Sequence, residues 1–446
     1  MDKRTLLIIL VGGGLILFFL VILLLLMGKG SSGRGKTTLI YWGLWEEEAV
    51  FLPLIEEYQK LNPAVEIKYI KKTFGHIGQD YNYLGNYQSA VEERISRTGG
   101  IDIVRVHASW IPKYVKYLTT APTSLINGNE VRRNYYPAIS ESILSTSGNV
   151  YAIPLYIDGL VLFYNKDLFA QAGITSPPTN WDKVIEYGAK LTKRDINGDV
   201  IQGGIGLGAG SNITHSTDIL MLMFTQGNVK VIDLANRKVD IASQNGIDAV
   251  NYYLDFTRKH KVWSHRLPND FSSFVQGKLA MFIAPSWRAF DIINQNSRIN
   301  FDMAPVPILP GANPDTPQYL ANFYVEVVPK NSPNSAEAWK FLTWLSKPEQ
   351  LRKLYQNETQ GIAGRIFGEA YPRVDMAGEL RDAPYVKAVI EMAPNMKAWP
   401  IIDIGIWEQN FKQFLTQLET GTGGGVQVNL QSLNATLNNL IFNSTR

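Results

Sequence analysis

Trp42, Trp45, Trp110, Asp158, Trp287, Tyr324 and Trp407 give this 446-residue sequence flat aromatic faces and a carboxylate that could meet on one molecule. An indole or phenol ring covers an apolar C–H face, and a carboxylate accepts hydrogen bonds from hydroxyls. Such a set suits a ring that carries many hydroxyls, with Asp158 accepting two of them and the aromatics stacking or walling the pocket. Trp45, Trp110, Asp158, Trp287 and Tyr324 lead because they fall at the ends of the elements read below. Trp42 ends a buried strand and serves a core as readily. Trp407 suits the rim of a site. Asp158 also suits the cap of a turn.

The same residue types serve glycoside hydrolysis, which needs two carboxylates at a defined separation. Glu46, Glu47, Asp158 and Asp403 are available, yet no spacing singles out an acid and a base. The five histidines are scattered, and His260 and His265 lack the spacing of a metal pair on one helix face. With zero cysteines, disulfides, thiolate metal sites, thiol catalysis and a cysteine-linked lipid anchor are excluded. Gly30 to Thr37 fits the phosphate-loop pattern G-x-x-x-x-G-K-[ST], but a strand should precede it and a helix follow it, and neither is read there. Asp195-Ile-Asn-Gly-Asp199 opens like a calcium loop, yet Val200 stands where glycine is needed and Gly206 where glutamate is needed. The expectation is a binding protein with no enzymatic activity, no cofactor and no metal.

The first 37 residues hold five basic residues against Asp2, while the rest of the chain is close to neutral. Nothing global therefore points to nucleic acid. Leu6 to Met27 is an uncharged apolar run of 22 residues, long enough to span a bilayer as a helix. Lys3 and Arg4 precede it, which places the N-terminus on the cytoplasmic side and the remainder outside. A cleaved signal is the alternative, with Gly28-Lys29-Gly30 as a small-x-small site.

Strand-like stretches at Thr38–Trp42, Val65–Ile70 and Ile101–Val106 alternate with helical spacing at Glu46–Leu61 and Tyr87–Arg97, which predicts a parallel sheet with helices on both faces. Later helices are read at Asn180–Leu191, Ser216–Phe224, Gly246–Lys259, Ser335–Leu345, Gln350–Gln356, Pro384–Met392 and Ile406–Leu418, and strands at Ala280–Ala284 and Tyr324–Val328. Gly421–Gly425 reads as a flexible loop.

Several stretches together resemble the family 1 extracellular solute-binding proteins, the maltose-binding-like receptors of carbohydrate ABC importers. Tyr58-Gln-Lys-Leu-Asn-Pro63 ends the first helix as theirs ends. Gly100-Ile-Asp-Ile-Val104 with Trp110 matches their third strand. Tyr151 to Gly173, with Leu-Val-Leu-Phe-Tyr-Asn-Lys-Asp-Leu-Phe at its centre, follows their longest signature. Phe274-Val-Gln-Gly-Lys-Leu-Ala-Met281, Pro285-Ser-Trp287 and Ala338-Trp-Lys-Phe-Leu342 continue it, so that the likeness runs from about Leu39 to Leu418. The sequence departs at Ala321-Asn-Phe-Tyr324, where a glycine-rich, Trp-bearing stretch is usual, and in lacking the anchor cysteine.

The resemblance implies an α/β fold of two lobes of the type II periplasmic-binding-protein kind, preceded by one transmembrane helix. Residues 1–37 would be anchor and linker, 38–153 with about 308–343 lobe 1, and 154–307 with about 344–446 lobe 2. The chain would cross between lobes near Tyr151–Tyr156 and Ala304–Pro310. It also implies a membrane-tethered extracellular receptor that closes on a small solute, an oligosaccharide, and delivers it to ABC permease subunits. A non-sugar solute, or a tethered sensor, would use the same fold.

Overall fold

The computed structural model describes residues 36–44, 46–72, 83–96, 100–309, 315–360, 367–401 and 403–443. The apolar run Leu6–Met27, the phosphate-loop pattern up to Gly35 and Trp45 lie outside these residues. Among the described residues no helix is long and apolar enough to cross a membrane.

In chain order the strands are β1 (Thr37–Gly43), β2 (Val65–Lys71), β3 (Ile103–His107), β4 (Ala152–Pro154), β5 (Leu160–Asn165), β6 (Lys193–Arg194), β7 (Val200–Ile205), β8 (Ile232–Asp233), β9 (Lys238–Val239), β10 (Leu279–Pro285), β11 (Phe301–Pro305), β12 (Tyr319–Leu320), β13 (Tyr324–Val327) and β14 (Met396–Lys397). Ten of them build two five-stranded sheets, ordered β2-β1-β3-β13-β4 and β11-β5-β10-β7-β6, and β12-β14 and β8-β9 form two-stranded pairs. Edge strand β2 alternates, burying Val65, Ile67 and Tyr69, whereas the interior strands β3 and β10 are buried at every residue. That contrast is what helices on both faces of a sheet interior impose.

The parallel pairing expected of the first three strands holds among them but does not extend to the whole sheet. β1 pairs parallel with β2 and β3, but β13 lies antiparallel to both β3 and β4. The second sheet is also mixed: β5 is antiparallel to β10 and β11, and β10 is parallel to β7. Local alternation of strand and helix sets parallel pairing only for strands joined by a crossover on the same sheet. β13 arrives from the other sheet and is free of that constraint.

β13 is held in place by charge as well as by backbone pairing. Glu326 stands directly opposite Arg105 in the register, and the Arg105 guanidinium lies 2.7 Å from its carboxylate, both side chains 1% exposed. Glu46 completes the pairing from the segment after β1. Burial works to lower the Arg105 pKa, but Glu326 and then Glu46 more than offset it and hold the guanidinium charged. Burial in turn raises the Glu326 pKa while Arg105 pulls it back down.

The helices that clothe each sheet are cut by local signals. Asn165 accepts from the N–H groups of Asp167 and Leu168 and so starts helix Lys166–Gln171, and Gly173 closes it at φ 64. Asn180 caps helix Trp181–Leu191, as its sequence predicts. Helix Pro348–Thr359 does not join the second lobe, where the boundary near residue 344 puts it. Its Asn357 amide donates to the Val50 carbonyl and its Lys353 pairs with Glu57, so it lies on helix Glu48–Leu61 beside the first sheet. Helix Ile404–Thr420 meets both sides: Phe411 packs on Phe224 and Arg258 donates to the Leu418 carbonyl, while the Ile404 N–H donates to the Gln88 side chain.

Removing one partner of a fully buried pair strands the other charge in a medium that cannot solvate it. Arg105→Met is therefore expected to lower unfolding free energy by about 3–5 kcal/mol, measured by urea denaturation. A loss below about 1 kcal/mol, the scale of a surface pair, would contradict the role given to this contact.

Candidate functional site

The two sheets are joined through a narrow hinge made of three chain segments. The segment after β4 bridges at Gly159 to Ala321. β12 pairs parallel with β14 beside it, and the Ala321 N–H donates to the Lys397 carbonyl at 2.9 Å. Gly159 is required here: a Cβ would stand 2.5 Å from the Leu320 carbonyl oxygen and 2.7 Å from the Met396 methyl. The crossing at Ile157–Gly159 lies a few residues beyond the expected Tyr151–Tyr156, because Ala152–Pro154 is still strand in the first sheet.

Strand ends from both sheets face each other across this hinge. On the first side, His107 closes β3, with its Nε2 3.0 Å from Asn322 Oδ1 and its Nδ1 2.6 Å from Ser109 Oγ. Tyr324 opens β13 and meets the His107 ring edge-on at 5.0 Å. On the second side, β10 runs out into Ser286 and Trp287. The Trp287 ring is half-buried; it meets His215 at 6.1 Å and carries the Arg288 guanidinium 4.7 Å from its centre. His215 Nδ1 is 3.0 Å from Asp218 Oδ2.

These contacts form a ring that is closed by an electrostatic influence of Asp218 on His107 rather than by a contact. His107 bonds Asn322, the Asn322 N–H donates to the Asp158 carbonyl at 2.8 Å, and Asp158 accepts from the Ser286 N–H at 3.4 Å. Trp287 reaches His215, His215 reaches Asp218, and Asp218 acts electrostatically back on His107. Glu408 and Lys412, on helix Ile404–Thr420, also feel Asp218.

Desolvation dominates the electrostatics of this ring. Burial pushes the Asp158 carboxyl up to about 7, against the downward pull of the Ser286 hydroxyl and the N–H groups of Gly159, Ser286 and Trp287. Burial and then Asp218 push Glu408 up to about 7. Burial lowers His107 below the usual imidazole range and keeps its ring neutral, although Asn322 and Asp218 favour the charged form. Burial also lowers Lys412.

Trp287, Tyr324 and Asp158, all named from the sequence, are thus brought together. Trp110 is wholly buried behind Tyr324, among Tyr87, Tyr114 and His107. Trp407 is buried against Phe411. Trp42 is nearly buried at the end of β1, with the Lys72 ammonium 4.1 Å from its ring centre. Trp45 lies outside the described residues. Sequence reasoning did not single out His107, His215, Asp218, Asn322 or Glu408. The rule that ligands gather beyond strand carboxyl ends could have found His107, the last residue of β3.

Outside the ring, the carboxylates of Glu46, Glu358 and Glu369 converge within 4.8 Å of one another. Glu46 there is already paired with Arg105. The calcium-like loop is closed on itself, since Asp195 accepts from the N–H groups of Asn197 and Asp199 and Asp199 pairs with Arg266.

Two α/β lobes, a strand-built hinge and a polar-aromatic ring between them define the class of two-lobed solute-binding folds. The bacterial extracellular solute-binding protein family model matches residues 42–351, and the chain belongs to that family. A binding protein of Brucella abortus strain 2308 is 26% identical over 271 residues, 59% of this chain and 62% of the relative. The maltooligosaccharide ABC transporter solute-binding lipoprotein of Streptococcus pneumoniae R6 is 25% identical over 285 residues, 60% of each chain. The matched region thus spans less than two thirds of these relatives. A Thermotoga lettingae ABC transporter solute-binding protein solved with alpha-D-tagatose superimposes with a TM-score of 0.69 at 20% identity, covering 91% of this chain and 100% of that one.

A carboxyl whose pKa rises on folding takes up a proton between its unfolded value, about 3.9, and about 7. The native state then holds more protons than the unfolded state, so stability falls as pH rises through this window and flattens above it. Asp158→Asn removes the contribution, whereas Glu408 acts equally in both proteins. The stability of wild type relative to Asp158→Asn is expected to decline from pH 5 to pH 8 in thermal melts. A difference independent of pH would show that Asp158 is not desolvated as described.

Proposed function

We propose that this chain is an extracytoplasmic carbohydrate receptor that closes its lobes on an oligosaccharide and delivers it to the permease of an ABC importer. The observation that carries the reading is the ring from His107 to Trp287. It offers aromatic faces, carboxylates and neutral imidazole between two lobes that can move about a three-segment hinge. Tyr324 and Trp287 would cover C–H faces from opposite lobes, while His107, His215, Asp218 and Glu408 would bond hydroxyls. A sugar ligand also fits the names of the relatives, a maltooligosaccharide transporter component and a receptor solved with tagatose.

Under the same proposal the Leu6–Met27 stretch tethers the receptor to the membrane, in place of a lipid on cysteine. Lobe 1 comprises residues 38–156 and about 308–379, and lobe 2 comprises 157–307 and the residues from about 380. Trp42, Trp110 and Trp407 serve as contacts or supports around the site, and Trp45, outside the described residues, stays a candidate contact by its place in the sequence. The carboxylates of the ring bind rather than catalyse, since each is set against a histidine, a lysine or backbone donors and no acid–base pair stands out.

Trp287→Ala is expected to weaken oligosaccharide affinity by at least tenfold, about 1.4 kcal/mol, with little change in the unfolding midpoint because the ring is only half-buried. Isothermal titration with a series of maltooligosaccharides on the full-length chain checks this. Wild-type affinity in a folded Trp287→Ala protein would remove Trp287 from the site.

A further inference from the structure

We infer that Arg288 is a positioning residue: its guanidinium, packed on the rings of both Phe271 and Trp287, fixes the indole from behind and is not a seat for an anionic sugar. The inference deepens the receptor reading and rests on it for its consequence in binding, which is that the site takes neutral rings.

A cation in a binding site invites the opposite reading, since an arginine fork pairs readily with carboxylate or phosphate. The geometry here turns the fork inward. The guanidinium carbon lies 4.7 Å from the centre of the Trp287 ring and 4.9 Å from the centre of the Phe271 ring. Phe271 comes from helix Asp270–Val275 and Trp287 from the turn after β10, so the cation links two separate elements. Phe271 is 8% exposed and the Arg288 side chain 13%. The stacking is therefore made largely away from water, where a cation–π contact is strongest. Arg288 Nη1 also pairs with Asp291 Oδ2 at 2.8 Å, one turn along the same helix. Its Nε makes a looser approach to His215 Nε2, at 3.4 Å. The charge is thus answered by Asp291 before any ligand arrives. A carboxylate or phosphate would have to displace Asp291, and would then meet Asp218, on the other side of His215, as a like charge.

The consequence for Trp287 follows. Its ring is half-buried where β10 gives way to helix Arg288–Gln295, so burial alone leaves it room to turn. Ordering a large side chain at the moment of binding costs affinity, and a ring ordered beforehand avoids that cost. Arg288, anchored by Asp291 and Phe271, supplies the order. The guanidinium covers one face of the indole and leaves the other for the C–H face of a sugar. His215 bounds the ring on a further side, 6.1 Å away and nearly perpendicular to it.

The test first reads Trp287 in ligand-free protein. The full-length chain is labelled with 5-fluorotryptophan, and the Trp287 fluorine resonance, one of ten tryptophans, is assigned by its loss in Trp287→Phe. Phe271 acts on the indole through the guanidinium. Phe271→Leu should therefore shift and broaden that resonance when Arg288 is present, and leave it unmoved in an Arg288→Met background. Arg288→Lys, which keeps a cation over the rings, should retain part of the shift. Arg288→Gln takes the place of Arg288→Met if the latter fails to fold. A Trp287 resonance unmoved by Phe271→Leu, or moved equally with and without Arg288, would overturn the inference. Calorimetric titration then separates the inference from the receptor reading. Arg288→Met is expected to weaken maltotriose binding about fivefold, the scale of one partly desolvated cation–π contact. The double variant with Trp287→Ala should bind no more weakly than Trp287→Ala alone. Additive losses would make Arg288 an independent contact and overturn the inference. So would a trigalacturonate that binds wild type more tightly than maltotriose and loses that advantage in Arg288→Met. A wild type that binds no sugar tried would count against the receptor reading, while the ligand-free comparison would still decide the role of Arg288.

Discussion

The antiparallel return of β13 into the first sheet is the constraint on which the rest of the molecule depends. Its register is set where Glu326 faces Arg105, with Glu46 on the other side of the guanidinium. An isolated buried charge is costly, so a shift of even one residue would leave Arg105 facing the wrong side of the strand and its carboxylate partner unpaired. The charge pairing therefore specifies alignment more than it adds stability. By fixing a late strand between two early ones, it obliges the chain to leave the first sheet after β4, build the second, and come back.

The hinge follows from that route. Crossing segments brought side by side satisfy their backbone groups on one another, which gives the Gly159–Ala321 bridge and the β12–β14 pair. The same route brings the ends of β3 and β10 to one space beside the hinge, His107 through Asn322 and Ser286 through Asp158. Both walls are thus set by strands, which are stiff, and the joint between them by a few short bridges, which can bend. Burial then tunes the chemistry of the space. It holds His107 neutral and raises Asp158 and Glu408 toward neutrality, so the ring can offer hydrogen bonds without a large uncompensated charge. That electrostatic character suits an uncharged polyhydroxylated ligand better than an ionic one.

Much of the first lobe and the signature from Tyr151 to Gly173 was legible in the sequence because the signals there are local. Asn165 starts a helix, Gly173 ends it, and Asn180 starts the next. The sheet order was not legible, since the partner of β13 depends on residues more than 200 positions away, as the contact of Arg105 with Glu326 shows. Helix Val426–Asn438 was also missed. Its buried stripe of Leu430, Leu433 and Leu437 has helical spacing, but the polar residues between and the glycines before it, three of them at φ near 90, read as loop. Of the site, the aromatic residues and Asp158 stood out by type. His107, His215 and Asp218 did not, because three ordinary polar residues become a site only when two sheets turn their strand ends together.

The central claim is that the two lobes close on a sugar. The absence of cysteine lets a spin label be placed on each lobe without background, at exposed Leu61 and fully exposed Ile196. Pulsed electron–electron resonance on the full-length chain then reports the lobe-to-lobe distance distribution across a panel of mono- and oligosaccharides. The account predicts that one class of oligosaccharide collapses the distribution to a single narrow, shifted population at saturation. A distribution that stays unchanged in folded protein with every sugar in the panel would contradict it.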